Sequence, residues 1–389
     1  SSSSSLMELS PDLLLPPTPG FLCAERVDNS CCGEVVVQED DKDHADDFDD
    51  AAPLPVTFLV TVPFGHSTRQ LEFGARRPSF DALTKNEESI ENDDFEESAG
   101  DPNFFDPGYT LAGSTGFTVW AGARFLLEAL VTTTPPPQPD DNTSNNITTP
   151  NVALETWRPI FQNGGSILEL GGGVGLLATG LAASGAHVLT TDLPSLVDHA
   201  IRPNLKRNAK LLSSSSSSPS SLQKDTTATT SPPAWLLSKN GSGKNINTPL
   251  PTPHRLGNGW ASTMALDWSQ PLAQQLNDHQ LQGIDVIVAS DCAWLASLLE
   301  LLLDTVAAIW EQRRTRQQMD DGNCPKFLMA FQRRDKNIGS ALFTTVTHLE
   351  QTIQQRGWTL RLLAWRPVTK VDGTETDVRL VEITCPRSN

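Results

Sequence analysis

The sequence predicts an α/β fold with a seven-stranded, mostly parallel sheet, an antiparallel last strand, helices on both faces and a small N-terminal β extension. Two observations support this prediction. Strand-like apolar runs alternate with helix-like segments through the second half of the 389-residue chain. Residues 166–194, SILELGGGVGLLATGLAASGAHVLTTDLP, also predict one β-α-β unit, in which a buried strand ends in a glycine turn that opens a helix.

The N-terminal part of the chain divides into two predicted regions. Residues 1–52 combine poly-Ser, Pro-rich turns and an acidic run, and are predicted to be a disordered acidic region. Residues 53–103 are predicted to be a β-hairpin extension with an acidic insertion, because β-forming residues alternate on both sides of Gly65-His66.

Residues 104–389 form the predicted main domain, with low-complexity insertions at 132–151 and 212–256. We expect the second insertion to bury nothing. The first predicted helix carries Phe125 on its apolar face, with Trp120 at its start. The predicted strands are Ile167–Leu170, His187–Thr191, Trp260–Trp268, 284–291, Lys326–Gln332, Thr359–Trp365 and Val378–Thr384, with helices at Leu298–Trp310 and Ser340–Arg356 among them.

Charge is concentrated at the N-terminus. Residues 1–103 hold 23 acidic and 6 basic residues, a net charge of −17, whereas residues 104–389 hold 24 and 23, a net charge of −1. Because phosphate binding requires a concentrated basic surface, no nucleic-acid partner is expected. The sequence has no apolar run of about 18 residues, so no membrane span is expected either.

The six cysteines show neither a disulfide framework nor the spacing of metal ligands. We therefore predict free thiols in a reducing compartment and no metal site. The expected location is the cytosol, with the nucleus as a further compartment.

The glycine turn at 171–175 predicts a ligand site. Glycines let the backbone approach a ligand closely and leave amide hydrogens of the following helix pointing at it. Asp192 follows roughly 20 residues later at the tip of the second strand, where its carboxylate can accept hydrogen bonds from a ribose diol. An adenosine-containing cofactor is therefore expected. The string Gly173-x-Gly175-x-x-Ala178 also matches the dinucleotide fingerprint, so a nicotinamide cofactor stays open at this point.

Further polar residues are expected at the same edge of the sheet. The carboxyl ends of the first four predicted strands gather the glycine turn, Asp192, Asp267-Trp268 and Asp291. This is the edge at which open α/β sheets bind their ligands.

The ordered motifs resemble the seven-β-strand S-adenosylmethionine-dependent methyltransferases, and within them the methyltransferase-like protein-lysine group, methyltransferase family 16. The resemblance is weak over the hairpin and good over residues 113–384, apart from the two insertions. It implies a Rossmann-like fold and S-adenosyl-L-methionine as cofactor. The motifs that carry it are GFTVW at 116–120, ILELGGGVG at 167–175, LTTDLP at 189–194, the helix with Asn204 and Asn208, ALDW at 265–268 and VIVASDCAW at 286–294.

The resemblance implies a role for each matching residue. It places Gly171, Gly173 and Gly175 against the methionine and ribose of the cofactor, Asp192 on the ribose hydroxyls and Trp268 on the adenine. It also implies Trp120 at the methionine end and two further cofactor contacts, Glu169 and Ser290. Asp291, between donor and acceptor, and Trp294 are the candidate catalytic residues.

Trp294 departs from the family pattern, which is Asp-x-x-Tyr. A tyrosine hydroxyl both donates and accepts hydrogen bonds, whereas an indole offers one N–H donor. An indole can still form an aromatic wall around an aliphatic amine or cover a cation.

The sequence therefore predicts a protein-lysine N-methyltransferase. The alternatives are a small-molecule N-methyltransferase and an inactive member that binds cofactor or partner. The expected partner is a protein that carries the acceptor lysine, either a basic protein or one related to chaperones or translation. The chain itself is expected to be monomeric.

Overall fold

The computed structural model describes residues 7–26, 55–64, 67–76, 116–132, 151–214, 231–237, 252–317, 324–333, 343–369 and 375–385. Numbered along the chain, the strands are β1 Leu22–Arg26, β2 Pro55–Phe64, β3 Ser67–Arg76, β4 Ser166–Leu170, β5 His187–Asp192, β6 His254–Leu256, β7 Gly259–Ala265, β8 Val286–Ser290, β9 Lys326–Gln332, β10 Thr359–Thr369 and β11 Glu375–Thr384. The helices are α1 Ala121–Val131, α2 Val152–Glu155, α3 Arg158–Gln162, α4 Leu176–Ser184, α5 Pro194–Leu196, α6 Arg202–Ser214, α7 Ala234–Leu237, α8 Asp278–Gly283, α9 Ala296–Gln317 and α10 Val346–Gln355.

In the described residues the central sheet has eight strands, in the order β10-β11-β9-β8-β4-β5-β7-β6. Strand β4 pairs in parallel with both β5 and β8, and the parallel ladder continues to β7 on one side and β9 on the other. Strand β11 is antiparallel to both of its neighbours, β9 and β10. This arrangement confirms the predicted Rossmann-like sheet with its antiparallel last strand.

The eighth strand, β6, differs from the prediction. It pairs antiparallel with β7 through Leu256↔Gly259, across a tight turn in which Gly257 has a positive φ of 59°. The strand consists of the last residues of the insertion 212–256, so low-complexity composition upstream concealed a short edge strand.

The expectation that this insertion buries nothing is wrong for α7. Trp235 is 6% exposed and Leu236 is fully buried. A Cβ on Gly283, at the end of α8, would lie 2.6 Å from the Trp235 ring, so the absence of a side chain there makes room for the indole. Two apolar residues in a Ser/Thr/Pro-rich stretch therefore dock onto the domain.

The core lies on both faces of the central sheet because side chains alternate along each strand. In β4, Ile167 belongs to the cluster that packs against α1 and α4, whereas Leu168 belongs to the cluster that contains Trp310 of α9. Strands buried on both faces explain why β4 and β8 are apolar almost throughout.

Residues 7–20 contradict the prediction of a disordered region over 1–52. Met7 is 1% exposed and donates its backbone N–H to Glu350 at 2.8 Å. Leu15 donates its N–H to the carbonyl of Trp365 in β10 at 2.9 Å. Arg366 holds the carbonyl of Leu15 at 2.8 Å. Arginine and tryptophan side chains of β10 thus fix a Pro-rich segment whose own regular structure is one short 3-10 helix, Pro11–Leu13. Residues 27–54 lie outside the described part of the chain.

The predicted hairpin is confirmed as β2 and β3, with β1 added as a third antiparallel strand. The turn at 65–66 and the acidic insertion lie outside the described residues. Two asparagines of α6 attach this small sheet to the main domain. Asn204 both accepts from the N–H of Gly74 at 2.9 Å and donates to its carbonyl at 3.0 Å, and Asn208 does the same with Glu72 at 2.8 Å for each bond.

Among the described residues, no helix has both the length and the apolar character needed to cross a bilayer.

Candidate active site

The glycine turn connects the end of β4 to the start of α4. Gly171, Gly173 and Gly175 all have positive φ angles, of 75°, 55° and 79°, and Gly175 is the N-cap of α4. At Gly171 the close approach also requires glycine, because a Cβ there would lie 2.7 Å from the Cβ of Cys292. The turn therefore brings its backbone directly against the residues that follow β8.

Asp192 ends β5 next to this turn. Its Oδ2 atom accepts a hydrogen bond from the N–H of Gly173 at 2.8 Å, and its Oδ1 atom accepts one from the N–H of Leu193 at 2.8 Å. Burial raises the pKa of Asp192 to about 6, and these two amide bonds oppose the increase. A carboxylate oxygen can accept two hydrogen bonds, so each oxygen keeps one lone pair for a ligand hydroxyl.

Glu169 lies beneath the turn and is 1% exposed. Burial raises its pKa to about 8, the neighbouring Thr190 hydroxyl lowers it, and the charge of Asp192 raises it further. Its Oε2 atom has no hydrogen-bond partner within the described residues. A buried polar atom left unpaired in this way favours a hydrogen-bonding ligand group nearby.

Trp268 and Cys292 flank the other side of the turn. A Cβ on Gly171 would lie 3.5 Å from Cη2 of the Trp268 ring. The Cys292 thiol donates to the carbonyl of Leu170 at 3.6 Å. Burial, followed by the nearby carboxylates Asp192 and Asp291, raises the pKa of the Cys292 thiol strongly, so this thiol stays protonated.

The GFTVW segment reaches the glycine turn from α1. A Cβ on Gly173 would lie 3.1 Å from the carbonyl oxygen of Gly116. Trp120 is the N-cap residue of α1 and is partly buried, as the sequence predicted for its position. The segment thus connects Trp120 with the turn.

Asp291 follows β8 with a φ of 51°, a left-handed conformation uncommon for a residue other than glycine. Its Oδ2 atom accepts a hydrogen bond from the N–H of Gly122 at 2.5 Å, and its Oδ1 atom accepts one from the N–H of Gln332 at 2.8 Å. The carboxylate thereby joins the start of α1, the end of β8 and the end of β9. Ser290, the preceding residue, is 8% exposed.

Trp294 stands beside Phe343, with ring centroids 6.1 Å apart and an interplanar angle of 35°. The backbone fixes this pair, because Thr344 donates its N–H to the carbonyl of Trp294 at 2.9 Å and Leu295 forms a β-bridge with Phe343. Both rings are partly exposed. They form an aromatic surface on the segment that follows β8.

The structure brings the predicted residues into contact in two groups. The glycines, Asp192, Glu169 and Trp268 surround the turn, and the GFTVW segment that ends in Trp120 reaches it through Gly116. Trp294 instead pairs with Phe343 on the segment that follows β8. Sequence reasoning missed Cys292 and Phe343. The SDCAW motif contains Cys292 and could have indicated it, whereas no local signal indicates Phe343, which lies far along the chain.

Residues 245–348 match a family model described as lysine methyltransferase. This range contains ALDW and SDCAW, so the resemblance stated from the sequence is confirmed there, and the glycine turn lies outside it. No curated protein matches the chain.

Solved structures with similar folds include a glycopeptide N-methyltransferase in complex with S-adenosyl-L-methionine, at 14% identity, 57% coverage of this chain, 82% of that chain and a TM-score of 0.31. Magnesium protoporphyrin IX methyltransferase from Synechocystis PCC 6803 with bound SAH gives 12% identity, coverages of 57% and 73%, and a TM-score of 0.30. At such identities and TM-scores, neither neighbour indicates what this chain acts on. The family match, the fold and the site geometry together support a methyltransferase that uses S-adenosylmethionine.

Proposed function

We propose that the chain transfers a methyl group from S-adenosyl-L-methionine to the side-chain amine of a lysine in a partner protein. The observation that carries this proposal is the meeting of the glycine turn, Asp192 and Trp268 at the carboxyl ends of β4, β5 and β7. These groups offer acceptors for a ribose diol, close backbone approach and an aromatic face in one site. The lysine specificity is supported by the family model over residues 245–348.

The residues fit this cofactor. The free lone pairs of Asp192 suit two hydroxyls, the Trp268 ring suits a purine, and the unpaired Oε2 atom of Glu169 suits a hydrogen-bonding ligand group. When bound, the cofactor supplies a methyl group activated by its attachment to a sulfonium. The chain has to hold the acceptor in line with that group and exclude water.

The acceptor side of the proposed site is aromatic. A lysine amine has a free pKa of about 10.4 and must lose its proton before it can attack. Trp294 and Phe343 provide apolar surface for the aliphatic part of the side chain, and the desolvation that follows lowers the pKa of the amine. Asp291 acts here as a positioning residue, because both of its oxygens accept backbone amides that fix α1 and β9.

We also propose that the partner protein is basic, or related to chaperones or translation. The same proposal includes a monomeric enzyme in the cytosol or the nucleus. Most of the acidic residues of the N-terminal region lie at 27–54, outside the described residues, so docking of a basic partner there stays a prediction.

Calorimetry with S-adenosylhomocysteine, beside NAD, tests the cofactor. We expect the intact chain to bind the homocysteine product and to give no heat with NAD. Asp192→Ala should lose binding of the homocysteine product. Asp192→Asn is a second variant, which removes the carboxylate but preserves the size of the side chain. Binding of NAD instead would assign the glycine turn to a nicotinamide enzyme.

A second experiment tests the acceptor. Incubation with tritiated methyl donor and a cell extract should label protein, and acid hydrolysis should recover the label as methyllysine. Label confined to small molecules would contradict the protein substrate. Binding of the homocysteine product without any label would support a member that binds the cofactor but does not turn over.

A further inference from the structure

A basic groove runs along one face of α6. Its volume is about 620 Å³, and its lining includes Lys206, Arg207 and Lys210 together with Pro203 and Leu211. Leu211 is 39% exposed, so it adds apolar surface beside the three cations. The groove thus combines positive charge with apolar surface, and the proposed methyl transfer uses neither. We call it the α6 groove.

The positive charge of the α6 groove is poorly compensated. Helix α6, RPNLKRNAKLLSS, contains four basic residues and no acidic one. The side chains of Lys206 and Lys210 are exposed and form no ion pair or hydrogen bond with any described residue. Arg207 faces a single carboxylate of the lining, Glu72, at 3.6 Å. After burial, the charges of α6 also lower the pKa of His254 on the adjacent β6.

The dimensions of the groove suit a short extended peptide. The thirteen residues of α6 span about 20 Å at the rise of an α-helix, which is the length of about six residues in a β-strand. Pro203 and Leu211 lie two helical turns apart, with the three cations between them. A ligand with carboxylates in its middle and apolar side chains at its ends matches this arrangement of three cations between two apolar residues.

A single-stranded nucleic acid fits the groove less well. Binding to single strands relies on aromatic side chains on which bases stack, and the residues that line the groove include none. The groove also offers exposed apolar surface, at Leu211 and Pro203, which a phosphate backbone leaves uncovered. Charge complementarity and apolar contact together favour an acidic peptide.

We propose that the α6 groove binds an acidic segment of a partner protein, about six residues long, with its carboxylates on Lys206, Arg207 and Lys210. Asn204 and Asn208 fix α6 to β3, which contributes Glu72 to the lining, so the groove is already formed before binding. Peptide binding at this groove requires no cofactor, and its test is therefore independent of the proposed methyl transfer.

The test is a fluorescence-anisotropy titration of the full chain with a labelled six-residue peptide of four glutamates and two leucines. We expect saturable binding that weakens as salt screens the charges. The double variant Lys206→Glu/Lys210→Glu should weaken binding at least tenfold. Lys326→Glu is the control, because it reverses one charge on β9, away from the groove, where it also removes an ion pair with Glu382, and it should bind as the intact chain does.

Three further results decide the proposal. Equal affinity of the intact chain and the double variant overturns it, provided that Lys206→Gln/Lys210→Gln gives the same result and both variants keep the circular dichroism of the intact chain. If an oligodeoxythymidine binds more tightly than the peptide, and the double variant weakens that binding, the groove binds a nucleic acid and the proposal is overturned. Peptide binding that appears only after Glu87, Glu88, Glu96 and Glu97 are changed to glutamine overturns it in favour of the chain's own acidic stretch.

Discussion

The carboxylate of Asp291 accepts a hydrogen bond from the backbone amide of Gly122, across 169 positions of the chain, at 2.5 Å. This bond fixes the first turn of α1, and with it Trp120, against the end of β8. The second oxygen of Asp291 fixes the end of β9 through Gln332. Asp291, which follows β8, is thus both part of the proposed site and a support of the sheet edge.

Replacement of Asp291 tests this dual role. Asp291→Asn keeps a residue type that tolerates the positive φ of 51° but turns one acceptor oxygen into a donor, which then faces a backbone N–H. We expect the free energy of unfolding to fall by about 1–3 kcal/mol, measured by urea denaturation. Asp198→Asn, which removes an exposed ion pair with Arg202, is the control and should change it by less than about 0.5 kcal/mol.

Gly171 tests whether the close approach of the turn is required. Gly171→Ala meets a contact of 2.7 Å with Cys292 in addition to the strain of a φ of 75°. Gly357→Ala is a matched control, because Gly357 has a φ of 69° and nothing within 4 Å of the added Cβ. We expect both variants to lose about 1–2 kcal/mol through backbone strain and Gly171→Ala to lose more.

We expect Gly171→Ala and Gly357→Ala to differ in ligand affinity as well as in stability. Calorimetry should show at least a tenfold loss of S-adenosylhomocysteine affinity for Gly171→Ala and no loss for Gly357→Ala. Adding Cys292→Ala should not restore binding, because the clash is with the Cβ of Cys292 and alanine keeps that atom. Restored affinity in the double variant would contradict the geometry.

The buried carboxyl of Glu169 predicts a dependence of stability on pH. Burial raises its pKa from 4.5 to about 8, so between these values the folded chain holds a proton that the unfolded chain has released. Stability from this group is therefore complete below pH 4.5 and is lost as the pH rises towards 8. Urea denaturation across this window should show the intact chain losing about 2–4 kcal/mol relative to Glu169→Gln. Parallel curves would show that the carboxyl is not protonated in the fold.

The aromatic pair predicts a separation of binding from turnover. Trp294→Ala and Phe343→Ala should each lower kcat/KM for methyl transfer at least tenfold, because either change opens the aromatic surface that the two rings form at 6.1 Å. Affinity for S-adenosylhomocysteine should stay within about twofold of the intact chain, since the proposal assigns both rings to the acceptor. Trp294→Tyr should keep most activity. A loss of S-adenosylhomocysteine affinity as large as the loss of kcat/KM would show that the two rings contact the cofactor and not the acceptor.

Asn208 predicts how firmly the small N-terminal sheet is attached. Its side chain is fully buried and makes three hydrogen bonds, two of them to Glu72 and one to the carbonyl of Asn204. Asn208→Ala leaves the partly buried backbone N–H and carbonyl of Glu72 unpaired and should cost about 2–4 kcal/mol in urea denaturation. Asn163→Ala, at an exposed helix end, should cost less than about 1 kcal/mol.

The sequence predicted the central sheet well because strands buried on both faces are continuous apolar runs. Lys326–Gln332 was located to the residue, and β11 extends the predicted Val378–Thr384 by three residues at its start. It predicted residues 7–20 poorly, because Arg366 and Trp365 of β10 hold that segment and no local pattern reports contacts 350 positions away. The Asn204 and Asn208 bonds to β3 were hidden for the same reason, since their partners are backbone groups.

The segment around Leu15 lies on the outermost strand of the central sheet, β10. An uncovered outer strand offers free N–H and carbonyl groups to other chains, which is a common route to edge-to-edge aggregation. Residues 7–20 shield part of that edge through Leu14, Leu15 and the side chains of Trp365 and Arg366. Proteolytic removal of residues 7–20, or their displacement by a fused protein, is therefore expected to cause aggregation through β10 before it affects the proposed catalysis.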